Sequence, residues 1–195
     1  MNNLFALSLL SIIVLASLLI LILEVYLKKE NRNYLAFIAL IFLLISIAIC
    51  VSSWDKDYSY FNHKLFFDNL SLTFSVILIL ATLLVVLISM KYISLQDTNH
   101  GEYYSLLLLA LSGTIIMISS TDFLIIFLGL EILSISSYAL TALKRNDEKS
   151  SEAAVKYFLM GSFASAFLVY GIALLYGASH STEIISIINH FQTET

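Results

Sequence analysis

The stretch FLIIFLGLEILSISSYALTAL, residues Phe123–Leu143, decides the fold. It is apolar and uncharged apart from Glu131, and its length suits a helix that crosses a bilayer, which needs roughly 20 residues. An acid at the centre of a membrane helix costs roughly 2.5–3.5 kcal/mol on insertion scales, so such groups usually face a bundle interior or a watery cavity. The stretch therefore predicts a membrane helix bundle in which Glu131 is the first functional candidate.

The whole composition agrees with a polytopic membrane protein. Of 195 residues, 59% are hydrophobic, 12% are charged and none is proline, and the mean hydropathy is +0.92. These values exclude a soluble globular domain. The sequence predicts an all-α bundle of six transmembrane helices and a short amphipathic C-terminal helix, and the six spans are Leu4–Leu27, Tyr34–Ser53, Leu70–Tyr92, Tyr103–Ser120, Phe123–Leu143 and Ala153–Tyr176.

Basic residues alternate between the connections, as the positive-inside rule requires. Loops two, four and the tail contain only Lys56 and Lys64, so we place them and the N-terminus outside. Loops one, three and five are predicted to be cytoplasmic, or in the organellar equivalent, because they contain Lys28, Lys29, Arg32, Lys91, Lys144, Arg145 and Lys149.

No repeat or linker divides the chain, so residues 1–176 are predicted to form a single bundle. Residues 177–195 are predicted to be an outside tail with an interfacial helix over Glu183–Phe191. Its apolar residues recur at helical spacing on one stripe: Ile184, Ile187, Ile188 and Phe191.

Lys156, inside the sixth predicted span, is the second unusual residue and the second candidate for proton transfer. A lysine at this shallow depth also snorkels to the membrane surface, and Glu152, four residues earlier, is placed to pair with it. Glu152 is therefore a candidate helper. Glu24, in the last turn of the first span, is interpreted as an interfacial residue.

A direct contact between Glu131 and Lys156 is not expected, because their backbones are offset by about 10 Å along the membrane normal. A water chain or a further titratable group between them fits better. Small residues in the sixth span, Gly161, Ser162, Ser165 and Ala166, predict a close approach to a neighbouring helix. Gly129 similarly leaves room for a helix or water near the carboxylate.

No motif for a cofactor, metal or nucleic acid is present in the sequence. The lone Cys50 lies in an apolar segment and is interpreted as a small packing residue, and the four histidines fall in loops or the tail without metal-site spacing. The net charge of -4 is spread over short loops, which excludes a nucleic-acid-binding patch.

Two stretches carry a family resemblance. Gly101–Leu143, which contains SSTDFLIIFLGLEILSISSYALTAL, and Ser150–Ile184, which contains SSEAAVKYFLMGSFASAFLVYGIALLYGASHSTEI, closely resemble the antiporter-like subunit N of proton-translocating NADH:quinone oxidoreductase, respiratory complex I. Related subunits L and M typically have Trp immediately before the membrane glutamate, whereas this chain has Gly-Leu-Glu, as subunit N does. FFDNLSLTF, Phe66–Phe74, also resembles the family's entrance to its third span.

The resemblance implies a role in coupling quinone reduction to proton translocation through charged groups in the membrane. Glu131 corresponds to the family's glutamate of the fifth span and Lys156 to the lysine of Glu-Ala-x-x-Lys-Tyr in the sixth. NADH and quinone would be used by the assembled complex, with no cofactor in this chain. The implied location is a bacterial inner membrane or, alternatively, an organellar inner membrane.

Two departures from the family pattern stand out. Ile135, Ser136 and Ser137 replace a proline that family members commonly have after the glutamate, so a kink is expected to be missing. The family's subunit N is far longer, so the chain is expected to be its N-terminal portion and not to pump alone. Its expected partners are lipid, other membrane subunits of complex I and, as one option, a separate polypeptide carrying the remaining helices. The alternatives are a cation/proton antiporter fragment and a structural remnant without transport activity.

Overall fold

The computed structural model describes residues 5–27, 33–56, 58–61, 64–96 and 100–193. Six helices in this part of the chain are long and apolar enough to cross a membrane, which confirms the predicted helical membrane bundle. In chain order the elements are α1 (Phe5–Tyr26), α2 (Asn33–Ser52), β1 (Tyr58–Tyr60), β2 (Leu65–Phe67), α3 (Asn69–Gln96), α4 (His100–Ile118), α5 (Phe123–Thr141), α6 (Glu148–Ser179) and α7 (Ile184–Thr193).

Helix α6 is longer at both ends than its predicted span. It begins at Glu148 rather than Ala153, because its polar first turns are helical before the apolar stretch starts. It ends where His180 adopts a left-handed conformation, with φ 54°, and donates its backbone N–H to the carbonyl of Tyr176. A left-handed residue after the last turn is a common way for a helix to stop.

The core lies between the first four helices. Helix α4 packs against α1, α3 and α5, and α2 packs against α1 and α3. Within this core, the Ser17 hydroxyl of α1 lies 2.7 Å from the Ser105 hydroxyl of α4, and both side chains are buried. Small and hydroxyl-bearing residues let membrane helices approach closely and bond across the interface. Cys50 is fully buried among apolar neighbours in this core.

Helix α6 differs from the others because little of it is covered. It packs on α5 and α7, and its buried residues are Ala154 and Ile172. Large apolar side chains along the rest of its length are exposed, among them Phe158, Met160, Phe163, Phe167, Tyr170 and Leu174. In a membrane this surface must meet lipid or further protein.

A short antiparallel hairpin, β1–β2, precedes α3 and was not predicted from the sequence. Tyr58 pairs with Phe67 and Tyr60 with Leu65. The Phe66 N–H donates to the Ser119 carbonyl at 2.6 Å, so the hairpin is held against the turn between α4 and α5. Six strand residues are too few for the alternating pattern to stand out from the apolar surroundings.

The connections between helices gather at two ends of the bundle, in the grouping that the alternating charges predict. At one end, the connection before α3, the α4–α5 turn and the α6–α7 turn contact one another through Lys64, Asp122 and Thr182. At the other end, Arg145 after α5 pairs with Glu102 in the first turn of α4, at 2.8 Å. Which end is outside stays a prediction, and Lys28, Lys29 and Arg32, on which it partly rests, lie outside the described residues.

Helix α7 has the predicted amphipathic character, but the residues of its apolar stripe differ in exposure. Ile187 is buried against the bundle, whereas Ile188 and Phe191 are exposed. The interfacial location of this helix and the division into residues 1–176 and 177–195 stay predictions.

Candidate functional site

Glu131 lies near the middle of α5 and is half-buried, on the side that faces α6. The Ser165 hydroxyl of α6 donates a hydrogen bond to its Oε1 at 2.5 Å. Hydrogen bonds to an ionised carboxylate are stronger than those between neutral groups. The carboxylate is therefore held at the α5–α6 interface by a side chain from the neighbouring helix.

The small residues of α6 make room for this carboxylate. An open groove of about 580 Å³ runs beside Glu131 and is lined by Phe127, Ser162, Ser165, Ala166, Val169 and Tyr170. Its lining is mostly apolar, and its polar groups are the Glu131 carboxylate and the hydroxyls of Ser162, Ser165 and Tyr170. The close approach predicted from Gly161, Ser162, Ser165 and Ala166 is thus directed at α5, and it leaves space next to the acid.

Gly129, two residues before Glu131, brings α5 against α4. A Cβ atom at Gly129 would lie 2.7 Å from the Gly113 carbonyl oxygen, and one at Gly113 would lie 2.6 Å from the Gly129 carbonyl oxygen. Real Cβ atoms do not come this near to backbone, so the crossing of α4 and α5 requires glycine on both helices. This contact fixes the height and rotation of the segment that carries Glu131.

Helix α5 is unbroken around the acid. Ser136 and Ser137 donate to the carbonyls of Ile132 and Leu133, one turn earlier, at 2.7 and 2.8 Å. The residues that replace the family's proline therefore continue the helix.

Lys156 lies on an uncovered face of α6 and pairs with Glu152. Its Nζ is 2.5 Å from Glu152 Oε1, and the two side chains are 70% and 63% exposed. The pair lies away from Glu131, since Ser165, which meets Glu131, is nine residues further along α6, or about 13 Å at 1.5 Å per residue. The structure thus brings together Lys156 and Glu152, and separately Glu131 and Ser165.

Tyr138 occupies the interval between these two pairs. It lies seven residues after Glu131 on the same face of α5, and its hydroxyl abuts Gly161 of α6. Its ring packs edge-on against Tyr157 and Phe158, with ring centroids 4.7 and 5.8 Å apart. Tyr138 is thus a polar group at this level of the α5–α6 interface, whereas a water chain or a titratable group linking Glu131 to Lys156 stays a prediction.

Asp122, at the N-terminus of α5, was missed by sequence reasoning. Its side chain is completely buried and accepts from the Leu124 N–H at 2.9 Å, from the Thr182 hydroxyl at 2.6 Å and from Lys64 Nζ at 3.0 Å. Burial alone opposes ionisation, yet these hydrogen bonds and the Lys64 charge outweigh it and hold the pKa of Asp122 below its ordinary value of 3.8. The available signal was an aspartate directly before an apolar run, which is typical of a helix N-cap.

Glu24 has a more specific role than the interfacial one predicted from its position. It is buried at the end of α1, and its Oε2 accepts the backbone N–H of Glu102 in the first turn of α4, at 2.9 Å. A carboxylate at a helix N-terminus is favoured by the helix dipole. Gly101 permits this contact, because a Cβ there would collide with the Glu24 side chain.

Among the described residues, no three His, Cys, Asp or Glu side chains gather to hold a metal ion. The chemistry that the arrangement can support is proton transfer and charge pairing by carboxylates, hydroxyls and a lysine.

Helix α5 is an unbroken membrane helix with a central acid that is bonded to a neighbouring helix and lies beside a groove. Residues 120–195 match the family "NADH:quinone oxidoreductase/Mrp antiporter, TM". Named relatives point to one subunit. The chain is 39% identical to NADH-quinone oxidoreductase subunit N of Trichlorobacter lovleyi over 86% of its length. It is 38% identical to NADH-quinone oxidoreductase subunit N 1 of Chloroherpeton thalassium over 89% of its length. The resemblance to subunit N is confirmed.

Solved structures agree with this assignment. A chain of respiratory complex I from Thermus thermophilus with bound aureothin matches 90% of this chain with a TM-score of 0.73 and 29% identity. A chain of the membrane-bound sulfane sulfur reductase, an archaeal respiratory membrane complex, matches 95% with a TM-score of 0.80 and 22% identity, which shows a shared fold. This chain spans about a third of its relatives, 34% and 36% of the two subunit N proteins.

Proposed function

We propose that this chain forms part of a proton-translocating NADH:quinone oxidoreductase, in which it contributes to coupling quinone reduction to proton movement. Glu131 is the group that takes up and releases a proton within the membrane, and Lys156 with Glu152 is a second charged station. NADH and quinone are used elsewhere in the assembly. The bacterial relatives favour a bacterial inner membrane as its location.

The observation that supports this proposal best is the setting of Glu131. It is an acid in the middle of a membrane span, half-buried, with one hydroxyl donor and open space beside it. A purely structural acid in a membrane is expected to have its acceptor sites occupied by fixed donors, because an incompletely paired charge is costly there. The groove opens on the uncovered side of α6, so it can hold water once further protein covers that side, and water beside a carboxylate suits a group that exchanges protons.

The exposed pair of Lys156 and Glu152 supports the idea of further protein on α6. Both side chains point away from the described bundle, and the apolar surface around them is uncovered. An ion pair facing hydrocarbon is expensive, so charged residues within spans almost always face protein or water. The relatives are about two and a half times as long as this chain. We infer that helices corresponding to their remaining length, on this polypeptide or another, cover this face together with other membrane subunits.

The proposed transfer is a proton exchange with no change in bonding elsewhere. The ionised Glu131 accepts an excess proton that arrives as hydronium in the groove, so it becomes a neutral acid and leaves a water molecule. It then releases that proton towards the next station. Tyr138, with its hydroxyl at Gly161, is the polar group in the interval towards Lys156. A change of charge at either station alters the electrostatic cost of charge at the other, because a low-dielectric interior screens it weakly.

The test is substitution of Glu131 in the intact complex. In inside-out membrane vesicles, Glu131→Gln should abolish or strongly reduce the pH gradient formed per NADH oxidised, while the complex still assembles. Lys156→Ala should give a smaller loss in the same direction. Ser137→Ala is the matched control and should leave the gradient unchanged, because Ser137 lies nearly two helical turns away and its hydroxyl is bonded within α5.

A cation/proton antiporter is the second candidate, because the matched family includes Mrp antiporters. Affinity purification of the tagged chain distinguishes the two. Recovery with NADH-oxidising, quinone-reducing activity supports the oxidoreductase, and recovery with sodium-dependent proton exchange and no such activity supports the antiporter. If Glu131→Gln leaves proton movement unchanged in both assays, the chain is a structural component.

A further inference from the structure

We infer that Ser165 is a positioning residue for Glu131: its hydroxyl holds the carboxylate at the α5–α6 interface, in line with the groove. The inference rests on the proposed role of Glu131 in proton transfer and assigns the side chain that sets its orientation.

The Ser165 hydroxyl is directed across the helix interface rather than along its own helix. Hydroxyls on membrane helices readily donate to the carbonyl one turn earlier on their own helix, which satisfies them without a partner. Neighbouring residues do this: Ser136, Ser137 and Thr141 of α5 and Ser179 of α6 donate to the carbonyls of Ile132, Leu133, Ser137 and Leu175. Ser165 instead donates across the interface to Glu131.

Around this hydrogen bond, few other contacts fix α5 and α6 relative to each other. Helix α6 is mostly uncovered, and the wall around the carboxylate is formed by an open groove rather than by packed side chains. A glutamate has three side-chain torsions and loses much rotamer freedom when ordered. One charge-assisted bond from a short, stiff serine therefore decides which rotamer the carboxylate adopts.

Small residues near Ser165 on α6 determine the geometry of its hydrogen bond to Glu131. Gly161 and Ser165 lie four residues apart on one face, so the absence of a side chain at Gly161 lets Tyr138 fit below the serine. Serine reaches Oε1 while still leaving other acceptor positions of the carboxylate for water, since a carboxylate has about four lone-pair sites. The hydroxyl orients the acid without occupying its proton-exchange sites.

The experiment compares Ser165→Ala with Ser165→Thr in the intact complex in vesicles, with the pH gradient per NADH oxidised as the measurement. Ser165→Ala should lower it by about two- to tenfold, the range expected for loss of one hydrogen bond. Ser165→Thr keeps a hydroxyl in an open groove and should retain most of the wild-type value. Ser179→Ala is the matched control and should be near wild type, because this serine lies on the same helix but outside the groove and donates to the carbonyls of Leu175 and Ser181.

A second background tests whether the effect passes through Glu131. Glu131→Asp keeps a carboxylate but withdraws it by about 1.5 Å, the length of one carbon–carbon bond, so Ser165 can no longer reach it. Proton transfer should fall in Glu131→Asp, and adding Ser165→Ala should then change nothing.

The outcomes separate the two proposals. If Glu131→Gln stops proton transfer while Ser165→Ala behaves as wild type, the role of Ser165 is refuted and that of Glu131 stands. A further loss from Ser165→Ala in the Glu131→Asp background, or an equal loss in Ser165→Thr, also refutes positioning by the hydroxyl. Wild-type transfer in Glu131→Gln refutes the proposed function itself.

Discussion

Asp122 and Glu131 are two carboxylates on the same helix, nine residues apart, in opposite situations. Asp122 is completely buried at the helix N-terminus and accepts from a backbone amide, a hydroxyl and a lysine. Glu131 is half-buried at mid-helix, receives a hydrogen bond from Ser165 and lies beside an open groove. The acid proposed to exchange protons is therefore the less buried of the two and the one with fewer fixed donors.

The difference agrees with the role proposed for each acid. Fixed donors hold Asp122 in its charged form, and in return it ties together three segments: the hairpin connection, the start of α5 and the start of α7. A group that gains and loses protons has to be stable in both forms, so it needs few fixed donors and access to water. One helix thus carries a structural acid at its end and a candidate exchanging acid at its centre.

The largest expected effect on stability comes from removing the structural acid. Asp122→Ala deletes the helix cap, the Thr182 bond and the Lys64 pair, and we expect a loss of about 3 kcal/mol, since a cap is worth about 0.5–2 kcal/mol and each bond to a charged group about 1.5–3 kcal/mol before relaxation. Thermal unfolding of the purified protein in detergent, followed by circular dichroism, measures it.

Two variants sharpen this prediction. Asp122→Asn keeps an oxygen that can cap α5 but removes the charge, so it should lose less than alanine does. Lys64→Met removes only the ion pair, which is partly screened because Lys64 is 46% exposed, and should lose least. Equal stability of wild type and Asp122→Ala would contradict a structural role.

The second-largest expected effect on stability comes from disturbing the α4–α5 crossing, which positions Glu131. Gly129→Ala drives a Cβ into the Gly113 carbonyl and the Met117 side chain, and overpacking of this kind costs typically about 1–3 kcal/mol. Gly171→Ala on α6 is the control, because a Cβ there meets nothing within 4 Å and alanine is the better helix former. The measurement is the thermal unfolding midpoint of each variant. A destabilised Gly171→Ala would show that glycines in these helices matter for a reason other than the close helix crossing.

The next effect in size is the loss of the Asp122 contacts at acidic pH. The pKa of Asp122 is lowered in the folded protein, so its stabilisation is fully present above the ordinary value of 3.8 and is lost as pH falls through the folded value. The unfolding midpoint should therefore be steady on the neutral side and fall in acid. Other carboxylates titrate as well, so the measurement is the difference between wild type and Asp122→Asn, which should narrow in acid. A difference independent of pH would contradict the prediction.

Helix positions and the identity of the central acid were predictable from sequence, because both depend on local features. Apolar length locates each span, and a charge inside a span is conspicuous whatever its neighbours. The pairing of Lys156 with Glu152 follows from spacing on one helix and was predicted in the same way.

Contacts between distant segments were not predictable in the same way. The bond from Ser165 to Glu131 and the meeting of Lys64, Asp122 and Thr182 depend on how helices rotate and turns meet. A serine in an apolar span gives no sign of whether it bonds to its own helix or to a neighbour. The capping role of Glu24 was missed for the same reason, since it depends on Gly101, far along the chain.

The smallest expected effect on stability is that of Glu131→Gln, and it completes the comparison. Glutamine has nearly the same shape and offers Ser165 a carbonyl oxygen, so the interface keeps its hydrogen bond while the titratable group is lost. We expect a change in unfolding free energy within about 0.5 kcal/mol, as for substitutions that leave contacts intact. Asp122→Asn should show the reverse pattern: lower stability, but an unchanged pH gradient per NADH oxidised in the complexes that assemble. A large loss of stability in Glu131→Gln would make this acid a structural group like Asp122, because its charge would then be required by the fold rather than by proton exchange.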